Sequence, residues 1–223
     1  WRQRMEHMSN YFDAIRIDHI LGFFRIWSIP LKDIEGILGV FAPAIGVSSR
    51  DLESAGIHVN ESRLCDPYIT DEVLSRNFPG NENWIKENIL ADNKFKPSLD
   101  TQRKIAAFLK KEPSKAFLQK GLFDLITDVI LLKDAEKPGH YHFRISMQST
   151  DSYKNLDHGQ QQQLNALYQR YFFGMQDELW KEVGQKKLNA LQLNTDMLLC
   201  AEDLGMVPDF AEDVLIGREI LSL

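Results

Sequence analysis

Two carboxylate-bearing segments lie near opposite ends of the chain, Arg16-Ile17-Asp18-His19 and Ala201-Glu202-Asp203-Leu204-Gly205. Each follows a short apolar run, Phe12-Asp13-Ala14-Ile15-Arg16-Ile17 in the first case and Met197-Leu198-Leu199-Cys200-Ala201 in the second. Runs of this length are expected to form buried strands. In a parallel β/α barrel the C-terminal ends of the strands line the active site. Two carboxylates on such ends suit glycosidic bond cleavage with retention, one as nucleophile and the other as general acid and base, about 5 Å apart. The nucleophile must stay ionised, and a neighbouring guanidinium favours the charged form of a carboxyl. Arg16 and Asp18, two positions apart on a strand, project to one face. The general acid must hold a proton near neutral pH, which calls for partial desolvation. Glu202, directly after an apolar strand, is the candidate. Glu202-Asp203, followed by Gly205 and Pro208, also fits helix capping, and both readings can hold.

These segments need a frame. Trp1, Met5, Met8 and Phe12 recur as on one face of an amphipathic helix. Residues 31–100 are rich in Gly, Pro, Asn, Asp and Ser. They read as turns and short helices, too long a stretch for a simple connection. Residues 101–124 carry helical periods interrupted at Pro113. Leu125 to Leu132 reads as a strand, in a hairpin with His140 to Ile145. Residues 157–182 read as one helix, from the spacing of Leu164, Leu167, Tyr168, Tyr171, Phe172, Met175, Leu179 and Trp180. A further helix takes in Val183, Leu188, Leu191 and Leu193; another opens at Pro208. Ile220 to Leu223 resembles the start of one more strand. The chain thus begins in mid-helix and closes on a strand, as an internal fragment would. The expected organisation is α/β, in three segments: 1–30, a mostly helical insert at 31–194, and 195–223.

Composition narrows the function classes. Hydrophobic residues make up 43% and charged residues 26% of the chain, as in ordinary globular proteins. A net charge of -6 with no basic stripe argues against a nucleic-acid partner. Lys110-Lys111 and Lys186-Lys187 fit solvated helix faces. Cys65 and Cys200 make no disulfide scaffold, and Cys200 is expected to be a buried free thiol. No apolar run approaches the ~20 residues of a membrane span, so no membrane partner and a cytoplasmic location are expected. His140 and His142 share a strand face but have no evident third ligand, so no metal is expected, nor any organic cofactor. No Gly-x-Ser-x-Gly elbow or phosphate-cradling glycine loop is present. Trp84 and Tyr68, in the loop-rich region, are candidates for sugar contact, and Trp27 offers a stacking face for a sugar ring.

The longer strings are more specific than the pairs of carboxylates. Tyr11-Phe12-Asp13-Ala14-Ile15-Arg16-Ile17-Asp18-His19-Ile20-Leu21-Gly22-Phe23-Phe24-Arg25-Ile26-Trp27 resembles the fourth-strand signature of the 4-α-glucanotransferases (amylomaltases, disproportionating enzymes) of the α-amylase clan. Leu198-Leu199-Cys200-Ala201-Glu202-Asp203-Leu204-Gly205-Met206-Val207-Pro208 resembles their fifth-strand signature. The layout is similar to the form with a large insertion between those strands, as in the plant cytosolic enzymes and their bacterial relatives. The resemblance implies a fragment of a (β/α)8 TIM barrel holding the fourth and fifth strands. It implies Asp18 as nucleophile, Glu202 as general acid/base, Arg16 steadying the nucleophile and His19 at the donor sugar. Asp203 would give structural support only. The family's third catalytic Asp follows the seventh strand, outside these residues, so the fragment alone is expected to be inactive. The implied reaction is retaining transfer of glucosyl or maltooligosyl units between α-1,4-glucans. An α-amylase-like hydrolase would use the same carboxylates, and a non-catalytic structural or glycan-binding module is the alternative of a different class. Oligomeric state is left open.

Overall fold

In a computed structural model of the chain, the apolar runs before the two carboxylates form strands, Ala14–Ile17 and Leu198–Ala201, paired in parallel. The structure describes residues 1–202, 205 and 207–222. A third strand, Leu221–Ser222, pairs in parallel with the other side of Leu198–Ala201. Parallel neighbours need a crossover. Helix Asp209–Ile216 provides it between the last two strands, and helix Asp177–Gln192 precedes the middle one. Alternation along the strands sends Ile17, Leu199 and Ala201 into a core with Met5, Phe24, Trp180, Leu188 and Val214. The opposite face is open: Ala14 and Arg16 are exposed, Leu198 is 47% exposed and Leu221 is 50% exposed.

The chain divides into two units. The parallel sheet belongs to the first, which comprises Trp1–Trp27, Phe41–Ile45 and Gln169–Leu223. Its helix Asp177–Gln192 lies close against Phe24 at Gly184, where an added Cβ would come within 2.2 Å of the phenyl ring. Trp180 and Phe41 meet edge to face at 5.3 Å, and the buried Arg25 guanidinium lies 4.2 Å from each ring centre.

The second unit comprises Ser28–Val40 and Gly46–Tyr168. Five of its short helices begin where an oxygen side chain receives an orphan amide. Ser48 and Asp51 form a reciprocal capping box. Asn60, Thr70, Thr101 and Thr150 cap four further helices. Val73, Leu74, Phe78, Ile85, Ile105 and Leu122 are buried in its core. A small antiparallel sheet places His140–Phe143 between Val47–Ser48 and Leu131–Lys133. Among the described residues, no helix is long and apolar enough to cross a membrane.

Several sequence expectations change in detail. The strand expected from Leu125 to Leu132 is only Leu131–Lys133, because Leu125 and Ile126 complete helix Gln119–Ile126. That helix buries Leu122, Phe123, Leu125 and Ile126 together, and core burial overrides β-propensity. The hairpin partner does form, with Leu131 opposite Phe143. The single helix expected over 157–182 is two, His158–Phe172 and Asp177–Gln192. Between them Gly174 loosens the backbone. The buried Gln176 amide then clasps Ile45, accepting from its N–H at 2.7 Å and donating to its C=O at 2.9 Å. Apolar spacing runs on across this break, so periodicity hides it. The insert drawn at 31–194 extends past the second unit, since residues 169–194 group with the parallel sheet. Cys200 is free but only half-buried, because it alternates with Leu199 and Ala201 toward the open face.

Candidate active site

The first strand ends at Ile17, whose parallel partner is Ala201. Asp18 and Glu202 are therefore the next residues on adjacent strands, which run about 4.8 Å apart. Three hydrogen bonds fasten Glu202 to the turn after the first strand. Its N–H donates to the Ile17 carbonyl at 3.0 Å, and its own carbonyl accepts from Ile20 N–H at 2.9 Å. Its carboxylate Oε2 accepts from the His19 backbone N–H at 2.6 Å.

That last bond depends on an uncommon backbone. His19 has φ 53° and ψ 57°, in the left-handed region. For a side chain other than glycine this costs about 1 kcal/mol. The conformation ends the strand, turns the chain into a short 3-10 helix, Ile20–Phe23, and aims the amide at Glu202. The buried Ile20 and Leu21 anchor the turn in the core. Strain held by packing beside a carboxylate is the kind found at functional sites.

Arg16 and Asp18 project to one face as the spacing requires, with Arg16 Nη2 at 2.7 Å from Asp18 Oδ1. Their side chains are 60% and 73% exposed, so this pair adds little to stability. Glu202 is half-buried. Asp18 and His19 open onto a cleft of about 680 Å³, also lined by Trp1, Phe23, Lys187 and Asn194. Glu202 and Trp27 are not among its lining residues. Trp27 instead packs edge-on against Phe41 at 4.9 Å, tied into the Trp180 cluster. Asp203 lies outside the described residues.

The aromatic side of the cleft was not among the sugar contacts expected from the sequence. Trp1 is 62% exposed and its ring centre lies 5.7 Å from that of Phe23. Trp1 stands at the N-cap of the amphipathic helix Arg2–Met8. Lys187 reads in the sequence as a solvated helix position, and Asn194 lies in the turn after that helix. The proposed sugar contacts Trp84 and Tyr68 are half-buried within the second unit, Trp84 against Phe108 at 6.3 Å and Tyr68 beneath Arg63 at 4.5 Å. His142 Nε2 lies 3.3 Å from Asp134 Oδ2, and burial pushes its pKa down. Among the described residues no three His, Cys, Asp or Glu side chains cluster as metal ligands would. The Cys65 thiol is pushed up to about 12 by burial, which makes it a poor nucleophile.

Comparison with known proteins identifies the family of the chain. The profile of one protein family, described as 4-alpha-glucanotransferase, matches residues 1–223. The chain is 37% identical over 235 aligned residues to 4-alpha-glucanotransferase DPE2 of Oryza sativa subsp. japonica, covering 100% of this chain and 25% of that protein. A 27-residue stretch is 44% identical to a 4-alpha-glucanotransferase of Chlamydia pneumoniae, covering 12% of this chain and 5% of that protein. The chain thus spans about a quarter of the length of the rice relative. No solved structure matches it significantly.

Proposed function

The chain belongs to the 4-alpha-glucanotransferase family, and from that premise we propose that it contributes the nucleophile and the general acid/base to a retaining transfer between α-1,4-glucans. The observation that carries this reading is the strand register. It makes Asp18 and Glu202 consecutive neighbours at two parallel strand ends, with the His19 amide orienting Glu202. An Asp18 oxygen attacks the anomeric carbon of the donor as the glycosidic C–O bond breaks. Glu202 gives its proton to the departing oxygen, leaving a glycosyl ester on Asp18. Glu202, now a carboxylate, takes the proton of an acceptor 4-hydroxyl, whose oxygen attacks the same carbon and releases Asp18. Two inversions give net retention. Arg16 holds Asp18 on the reacting face.

Three parallel strands taken in chain order, joined through outer helices and covered on one face only, support their assignment to a (β/α)8 barrel, with the second unit inserted after the first of them. Such a barrel closes with eight strands, so residues 1–223 alone are expected to be catalytically silent. Cys65 and Cys200 are both free thiols, which supports a cytoplasmic location. The substrates in this reading are maltooligosaccharides or larger α-glucans, with no metal or organic cofactor.

The test uses the full-length protein with a maltooligosaccharide donor and an isotopically labelled glucose acceptor. Label appearing in longer oligosaccharides supports transfer. Release of reducing sugar with no labelled product would make the protein a hydrolase. Asp18→Ala should abolish both products, and survival of either would remove Asp18 from the nucleophile role.

A further inference from the structure

The second unit carries a cleft of about 740 Å³ that contains neither Asp18 nor Glu202. That volume lies within the range of small-molecule sites. Its charged lining is balanced: Arg76, Arg144 and Lys154 against Asp124, Asp128 and Asp151. An anion would meet three carboxylates there, and a cation would meet three bases. No aromatic side chain lines it, so a ligand gains nothing by stacking.

Two of these groups are fixed by the fold. Arg144 is only 7% exposed. Its Nε donates to the Thr127 carbonyl at 3.1 Å, and its Nη1 donates to the carbonyls of Ile145 at 2.8 Å and Ser146 at 2.9 Å. Its Nη2 makes no hydrogen bond to any described residue, leaving a buried guanidinium with donors to spare on a cleft wall. Asp128 accepts the backbone N–H groups of Asp151 at 2.9 Å and Ser152 at 2.7 Å, so its oxygens are also held in place. A pre-positioned donor and a pre-positioned acceptor in one polar cleft suit groups that both give and receive hydrogen bonds. Hydroxyls do this, and a neutral polyhydroxylated molecule carries many without charge.

We propose that this cleft binds a neutral mono- or disaccharide through its hydroxyl edges, at a site carried wholly by the second unit. The site stands on its own lining; only the choice of glucose and maltose as probes rests on the transferase reading. Hydrogen–deuterium exchange of the full-length Asp18→Ala protein tests it, with glucose, maltose or inorganic phosphate added at millimolar concentration. Either sugar is expected to slow exchange in segments 74–78, 121–128 and 144–154, and phosphate is not. The double variant Asn77→Ala/Lys154→Ala alters two exposed residues of the cleft and leaves the core intact. It should weaken that protection by about tenfold in sugar concentration, the scale of one or two hydrogen bonds. Its protection in segment 14–21 should be unchanged. Phosphate acting as well as sugar would overturn the proposal, as would a double variant that binds normally. Absence of sugar protection in the three segments would also overturn it, and a response confined to segment 14–21 would leave the catalytic reading standing.

Discussion

In the parallel-sheet unit, the ionisable groups that matter stand in the open and are held from beneath. Arg16 and Asp18 are mostly solvated, while Ile17, Ile20 and Leu21 under them are buried. In the second unit, polar groups are turned inward and tied down. The fully buried Gln102 accepts the N–H groups of Ile34 and Glu35 at 2.8 Å each, and Arg144 and Asp128 are fixed to backbone. The first arrangement spends backbone strain at His19 to aim an amide at a carboxylate. The second uses polar burial mainly to join loops to a core. Asp33 differs: it is 2% exposed, neither carboxylate oxygen has a hydrogen-bond partner among the described residues, and burial raises its pKa. The difference teaches that an exposed carboxylate on a rigid strand end and a buried one in a loop call for opposite tests.

The largest expected effect separates function from stability in the first unit. Asp18→Ala in the full-length protein should lower transfer by about 10⁴-fold or more, as loss of a nucleophile does. Asp18 is exposed, so thermal unfolding followed by circular dichroism should barely move. A large drop in melting temperature would break the contrast. Gly184→Ala should do the reverse. The new methyl collides with the fully buried Phe24, and overpacking of this kind costs about 1–3 kcal/mol, read as a lower denaturation midpoint.

Asp33→Asn sharpens the contrast from the other side. The folded state holds the Asp33 proton more tightly than the unfolded chain does, so this residue costs stability as pH rises above the ordinary carboxylate range. Replacing it with the neutral amide should raise stability at neutral pH relative to Asp33. The gain should shrink toward nothing as pH falls below about 4. Urea midpoints at both pH values check it, and a gain that grew on acidification would reverse the sign. The smallest stability effect is that of Arg16→Ala, within about 0.5 kcal/mol because the Arg16–Asp18 pair is exposed. Its transfer rate should still fall measurably if Arg16 steadies the nucleophile.

The sequence was most legible where one strand face determined the chemistry. Both strands were legible as apolar runs ending at Ile17 and Ala201, and their parallel pairing emerges only in the structure. The left-handed turn at His19 was not legible, since histidine is no glycine and only packing of Ile20 and Leu21 makes that conformation affordable. In the second unit, the helix starts at Ser48, Thr70, Thr101 and Thr150 were not placed from the sequence, although each follows ordinary capping chemistry. The helix break at 173–176 was hidden, because Gln176 is recruited by Ile45, far away in sequence. The balanced cleft was hidden for the same reason: Arg76, Asp128 and Arg144 come from separate elements.

The central claim is that Asp18 carries the sugar. The full-length Glu202→Gln protein should react with an α-glucosyl fluoride, whose leaving group needs no proton, and then stall for want of a base. Peptide mass mapping should find one hexosyl group esterified to Asp18. A hexosyl group on any other residue would contradict the account.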